Sequence, residues 1–154
     1  MKLGLLTAAF PGLSLEEIAE WAASEGFETL EIACWPAAGG ERRRYAGVTH
    51  LDVESLDPDQ VHELLGRHGL EISSLAYYPN NLHPDDAERE AVNAHLLKVV
   101  DAAQRLGVRT VGTFVGNDKD RPYRRTSSAS SRSGRRSSRT PRSGGCGSRS
   151  RTVR

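Results

Sequence analysis

Cysteine is scarce in this chain, with only Cys34 and Cys146 among 154 residues. Two cysteines build no disulfide framework, and their separation matches no zinc-ligand spacing. Long apolar runs are missing as well. The opening Met1-Lys2-Leu3-Gly4-Leu5-Leu6-Thr7 is too short to be the core of a secretory signal. No stretch approaches the roughly 20 apolar residues of a membrane span. These absences lead us to expect a cytoplasmic protein with no membrane partner. One region also lacks acidic residues and lysine. From Arg121 to Arg154 there are eleven Arg and no Lys, Asp or Glu, which leaves 10 basic against 20 acidic residues before it. The net charge of +1 therefore hides an acidic body and a basic tail, which need separate explanations. An acidic body repels phosphates, so nucleic acid is not an expected partner for it.

What is present reads as alternating strands and helices. Leu3–Thr7 is a short apolar run suited to a buried strand. Ser14-Leu15-Glu16-Glu17 is a capping box, in which Ser14 takes the amide of Glu17 and Glu17 reaches back. Leu15, Ile18, Ala19 and Ala22 then share one helical face, and Gly26 ends the helix. Thr29–Ala33 is the second strand. A polar loop runs from Pro36 to about Ser55. Asp57-Pro58-Asp59-Gln60 opens a second helix with an N-cap and Pro at the first position. Val61, Leu64 and Leu65 form its apolar face. Glu71–Tyr77 is the third strand. A third helix spans about Asp86 to Leu106 and carries a stripe of Val92, Leu96, Val99, Val100 and Ala103. Thr110–Phe114 is the fourth strand.

The junctions repeat. Gly26-Phe27-Glu28-Thr29, Gly69-Leu70-Glu71-Ile72 and Gly107-Val108-Arg109-Thr110 each close a helix on Gly and open a strand about two residues later, at spacings of 43 and 38 residues. Such units imply a parallel sheet, in a barrel or a doubly wound fold. No Gly-x-Gly-x-x-Gly follows the first strand, which disfavours the dinucleotide fold. The expected fold is α/β: about four β/α units of an incomplete (β/α)8 TIM barrel, because a whole barrel takes about 250 residues. A disordered Arg/Ser-rich tail follows, and the expected division is 1–123 and 124–154.

The third unit is the most distinctive. Leu75-Ala76-Tyr77-Tyr78-Pro79-Asn80-Asn81-Leu82-His83-Pro84 leads into a helix with Asn93 and His95, and then to Gly112-Thr113-Phe114-Val115-Gly116. With His50-Leu51-Asp52-Val53, this pattern resembles the sugar phosphate isomerase/epimerase family, the xylose-isomerase-like TIM barrels, over residues 1 to about 123. The resemblance implies a sugar or sugar phosphate substrate. It also implies a divalent metal, Mn, Mg or Zn, at the C-terminal mouth of the barrel. There the metal polarises an oxygen while carboxylates move a proton between adjacent carbons. In the family the metal ligands come from later strands, beginning with a Glu on the fifth. No metal is expected on this part alone, which is therefore expected to be inactive. Endonuclease IV, a distant cousin, adds His ligands on its third and fourth strands, where this chain has Leu75, Tyr78, Thr113 and Phe114.

After Tyr123 only Arg, Ser, Thr, Gly, Pro, Ala, one Cys and one Val occur. At face value this is a disordered basic tail able to bind RNA or another polyanion. The same alphabet arises when a GC-rich gene is read in the wrong frame. Taking each wobble base with the first two bases of the next codon, Arg139–Arg154 can be reread as YAEERGVRVAIENCP. That string is a helix end, a Gly stop and an apolar strand, with the Gly-Val-Arg junction seen at Gly107. It matches the family's fifth strand, whose Glu is the first metal ligand, so we expect a frameshift.

Ligand groups in such barrels sit at the C-terminal ends of strands. That nominates Phe10, Trp35, Tyr78, Asn81, His83 and Thr113 for substrate binding. Phe10 and Trp35 would form an apolar wall, Asn81 a partner for a sugar hydroxyl, and His83 a contact for a phosphate or hydroxyl. Of Tyr77 and Tyr78, one should face the barrel axis, and Tyr78 is the choice. Glu31 lies mid-strand, where an interior carboxylate is costly unless paired. His62, His68 and His95 are expected at the surface or at helix ends. Arg42, Arg43 and Arg44 are a phosphate-facing candidate. Four units leave the outer strands open, which predicts self-association.

Overall fold

The computed structural model describes residues 1–37 and 47–119. Arg42–Arg44 and the tail from 124 lie outside the described residues. The chain runs β1 (Gly4–Leu6), a 3-10 turn (Thr7–Ala9), α1 (Leu15–Ser24), β2 (Thr29–Ala33), α2 (Pro58–Arg67), β3 (Glu71–Ala76), α3 (Asp86–Arg105) and β4 (Val111–Gly112). The strands form one parallel sheet in the order β1-β2-β3-β4. This is the α/β arrangement of part of a TIM barrel.

The local signals act as their chemistry dictates. Both halves of the Ser14–Glu17 capping box form, and the two hydrogen bonds it receives hold the Glu17 carboxyl below its ordinary pKa. Asp57 caps α2 ahead of Pro58, and Asp85 caps α3. Gly26, Gly69 and Gly107 all have positive φ, 68–84°, where a side chain would be strained.

The core lies between the sheet and the helices. Leu30, Ile32 and Cys34 of β2 and the following residue, with Leu75 and Tyr77, pack on Ala19 and Ala22 of α1, Leu65 of α2 and Val99 and Ala103 of α3. Each fully buried Leu or Ile contributes about 1.5–3 kcal/mol. Val100 departs from the expected stripe: it is 39% exposed. The buried face of α3 is His95, Val99, Ala102 and Ala103, with Val92 and Leu96 beside it. Val100 sits one residue past Val99, about 100° around the helix, and so turns outward. His95 is likewise not a surface residue. It is 8% exposed, and its Nε2 lies 2.8 Å from the Cys34 carbonyl oxygen, at the end of β2.

One irregularity sets the orientation of everything above it. The β2–β3 register runs Leu30↔Ile72 and then Glu31↔Ser74, so Ser73 is an extra residue on β3. Its hydroxyl donates to the Leu30 carbonyl at 3.0 Å. A bulge reverses the phase of side-chain alternation. Leu70 and Ile72 face the helices before it, as do Leu75 and Tyr77 after it. Ser74, Ala76 and Tyr78 are thereby left on the barrel-interior face.

Candidate functional site

The C-terminal ends of the strands gather most of the nominated residues. Tyr78, two residues beyond β3, reaches back over the interior face and donates its phenol hydrogen to Glu31 Oε1 on β2. Burial first, then the hydrogen bond and charge of Glu31, push the Tyr78 phenol up to about 12, so it remains a protonated donor. Gly112 on β4 makes room for the pair. A Cβ there would lie 2.9 Å from Glu31 Oε1 and closer still to Tyr78 Oη. Glycine in a strand commonly marks such a close approach.

Aromatic rings flank the pair. Trp35 lies 6.2 Å from Tyr78 and 5.8 Å from Tyr77, and Phe114 lies 4.9 Å from Tyr78. Phe114 is 60% exposed, so this arc of Trp35, Tyr78 and Phe114 presents an apolar surface at the mouth. Phe10 joins a different stack. It lies 5.0 Å from Trp21 of α1, which in turn lies 5.9 Å from Phe27. Among the described residues no ring contact links Phe10 to Trp35.

Asn80 and Asn81 clasp the β3 loop to the β4 end. Asn81 Nδ2 donates to Thr113 Oγ1 at 3.0 Å and to the Phe114 carbonyl. Asn80 donates to the Asn117 carbonyl at 2.7 Å and accepts the Asn117 amide at 2.8 Å. Asn93 of α3 anchors the loop by donating to the Asn81 carbonyl at 3.1 Å. This clasp draws on backbone groups that a longer β4 would use, and β4 spans Val111–Gly112 rather than Thr110–Phe114. Asn81 Oδ1 is buried and has no hydrogen-bond partner among the described residues. His83 is occupied locally: its Nδ1 accepts the Asp85 amide at 3.2 Å and its carbonyl accepts from Arg89 at 2.8 Å, just before α3.

A second polar group sits between the ends of β1 and β2. The Thr7 hydroxyl oxygen accepts the Ala33 amide at 2.9 Å, and His50 Nδ1 lies 3.0 Å from the same oxygen. His50 Nε2 lies 3.3 Å from the Phe10 carbonyl. A carbonyl only accepts, so Nε2 carries the proton and Nδ1 accepts from Thr7. Desolvation by burial lowers the His50 pKa against the opposing pull of the Phe10 and Leu13 carbonyls. Neither Thr7 nor this role of His50 was evident from sequence.

The divalent metal implied by the resemblance finds no donor set here. Among the described residues, no group of three or more His, Cys, Asp or Glu comes together to hold a cation. Strand ends bearing Tyr78 and Thr113 likewise lack the His ligands of endonuclease IV. Cys34 is a buried free thiol raised to about 12 by desolvation, which makes it unreactive. Two partly open spaces are lined by described residues. One, of about 240 Å³, is at the opposite ends of the strands, between Leu70, Ile72 and Val108. The other, of about 420 Å³, is beside His95, with Pro36, Asp52 and Glu54. The chemistry of the strand ends, rather than cavity size, identifies the candidate site. No helix among the described residues is long and apolar enough to cross a membrane.

Several solved structures are similar to this chain. A xylose isomerase domain containing protein from Salmonella typhimurium LT2 is 20% identical, with a TM-score of 0.50 over 71% of this chain and 35% of that one. A xylose isomerase-like TIM barrel/4-hydroxyphenylpyruvate dioxygenase fusion protein is 18% identical, with a TM-score of 0.52 over 78% and 17%. A sugar phosphate isomerase/epimerase from Parabacteroides distasonis ATCC 8503 is 19% identical, with a TM-score of 0.48 over 75% and 40%. The chain thus spans about a third of the length of the Salmonella protein. No curated protein matches it. A family model described as the xylose isomerase-like TIM barrel matches residues 19–135, running past Tyr123, and the chain belongs to that family.

Proposed function

We propose that these residues form the substrate-binding side of a sugar isomerase/epimerase-type site, for a sugar, a sugar phosphate or a similar polyhydroxy compound. The observation that carries this reading is the mouth itself. Trp35, Tyr78 and Phe114 offer apolar faces for the C–H side of a sugar, while Thr113, held by Asn81, and Glu31 supply polar partners beside them. A ring surface beside convergent polar groups is the usual make-up of a small-ligand site.

Family membership supports the reaction class, metal-dependent proton transfer between adjacent carbons. In the family the metal donors come from later strands, so the share of that reaction assigned to these residues is substrate binding. The Arg/Ser-rich segment is, on this reading, the out-of-frame product of sequence that encodes the next β/α unit. The unpaired edges of β1 and β4 favour association with a second copy.

Ligand titration tests the reading. D-fructose and D-fructose 6-phosphate should bind at about millimolar Kd, worth about 4 kcal/mol. They should shift the indole N–H signal of Trp35 and leave that of Trp21, which faces Phe10 and Phe27, in place. If neither compound moves the Trp35 signal, the sugar-binding reading is wrong.

A further inference from the structure

Glu31 is the feature of the interior face that packing does not explain. Its neighbours on that face are small or apolar: Leu6 and Ser74 stand beside it in register, Ala33 follows it on β2, and Gly112 lies across β3. A carboxylate in such surroundings is costly unless it is hydrogen-bonded. Only half of this one is satisfied. Oε1 accepts from Tyr78, whereas Oε2 has no hydrogen-bond partner among the described residues, and Glu31 as a whole is only partly buried. A purely structural tie between β2 and β3 would need no charge, because two neutral groups would serve.

Three features hold the carboxylate in place. The Ser73 bulge turns Tyr78 inward, Gly112 leaves space for the contact, and the rings of Trp35 and Phe114 both pack near Tyr78. The open oxygen is thus a fixed acceptor under an aromatic arc. We propose that Glu31 is a substrate-anchoring residue whose Oε2 accepts a hydroxyl hydrogen of the polyhydroxy ligand, with Tyr78 as the positioning residue for the carboxylate. This inference rests on the sugar-binding reading above and adds to it a specific group and a chemical requirement. The ligand must present a hydroxyl toward β2, and an anionic group at that point would be repelled.

Three variants of the full chain test it, with D-fructose as the probe and thermal unfolding measured alongside. Glu31→Gln keeps a partner for Tyr78 and removes the charge. Because bonds to charged acceptors are roughly twice as strong as neutral ones, affinity should fall at least about tenfold with an unchanged Tm. Glu31→Met removes the acceptor and should abolish measurable binding. Tyr78→Phe keeps the carboxylate and should weaken binding only a few-fold while lowering Tm. A merely structural Glu31 would move Tm and affinity in parallel across the three. Wild-type affinity in both Glu31 variants overturns the anchoring role and leaves the sugar-binding reading standing. A wild-type chain that binds no D-fructose and shows no Trp35 shift overturns both.

Discussion

His50 shows how one side chain can carry a pH dependence. Its neutral ring links two loops, donating a hydrogen bond from Nε2 to the Phe10 carbonyl and accepting one at Nδ1 from the Thr7 hydroxyl, whose oxygen in turn holds the Ala33 amide. Protonating Nδ1 would force the Thr7 hydroxyl hydrogen away from the acceptor it has among the described residues. Burial already lowers the His50 pKa below the ordinary 6.5. The unfolded chain therefore binds the proton first as pH falls. The stability this residue supplies is fully present above about 6.5 and is lost as pH drops through the lowered folded-state value. Denaturant unfolding at pH 8, 6.5 and 5 should show wild type losing stability across that window. His50→Gln, whose amide offers both a donor and an acceptor, should lose less. Equal losses in the two proteins would exclude His50 as the source. None of this was legible in the sequence, because Thr7, Phe10 and His50 meet only once β1 and β2 are paired. By contrast, Ser14, Asp57 and Gly26 were legible, because each acts on its own neighbours.

At the scale of elements, the Ser73 bulge and Gly112 work together. The bulge brings Tyr78 to the interior face, and the missing side chain at Gly112 lets its phenol meet Glu31. Gly112→Ala places a methyl group within contact distance of both partners. Overpacking of this kind costs about 1–3 kcal/mol. We expect Gly112→Ala to destabilise by about that amount in denaturant unfolding and to displace Tyr78 from Glu31. In that background, Tyr78→Phe should cost less than it does in wild type, because the bond it removes is already broken. Additive losses would show that β4 tolerates the methyl without disturbing the pair. The strands and helices themselves were readable from capping, periodicity and the repeated Gly junctions. The bulge was not, since alternation continued from Leu70 and Ile72 would have sent Tyr78 toward the helices. The inward turn of His95 was missed for a related reason: a polar residue on a helix reads as exposed until a carbonyl such as that of Cys34 is there to receive it.

At the scale of the whole molecule, four parallel strands leave one side of β1 and one side of β4 unpaired among the described residues. Phe114 and Val115, just beyond β4, are exposed, as are Leu97 and Val100 on α3. A further β/α unit packed beside β4 would complete the β4 ladder. The codons that can encode Arg139–Arg154 can, one frame over, encode a helix end, a Gly-Val-Arg junction and a strand ending in Glu-Asn, which is the kind of unit that fits. A basic tail selected for polyanion binding has no reason to contain that order of elements. Sequencing the coding DNA from codon 115 to well past the stop should therefore reveal a single-base insertion or deletion near codons 123–125. Restoring the frame should give a product that sediments as a defined species, whereas the present chain should self-associate through its open edges. An intact frame with no barrel sequence beyond it would remove this account of the tail. Salt-sensitive RNA binding that disappears on deleting residues 124–154 would then be the behaviour to measure, because the ten arginines of that segment, with no acidic residue among them, would bind phosphates by charge alone.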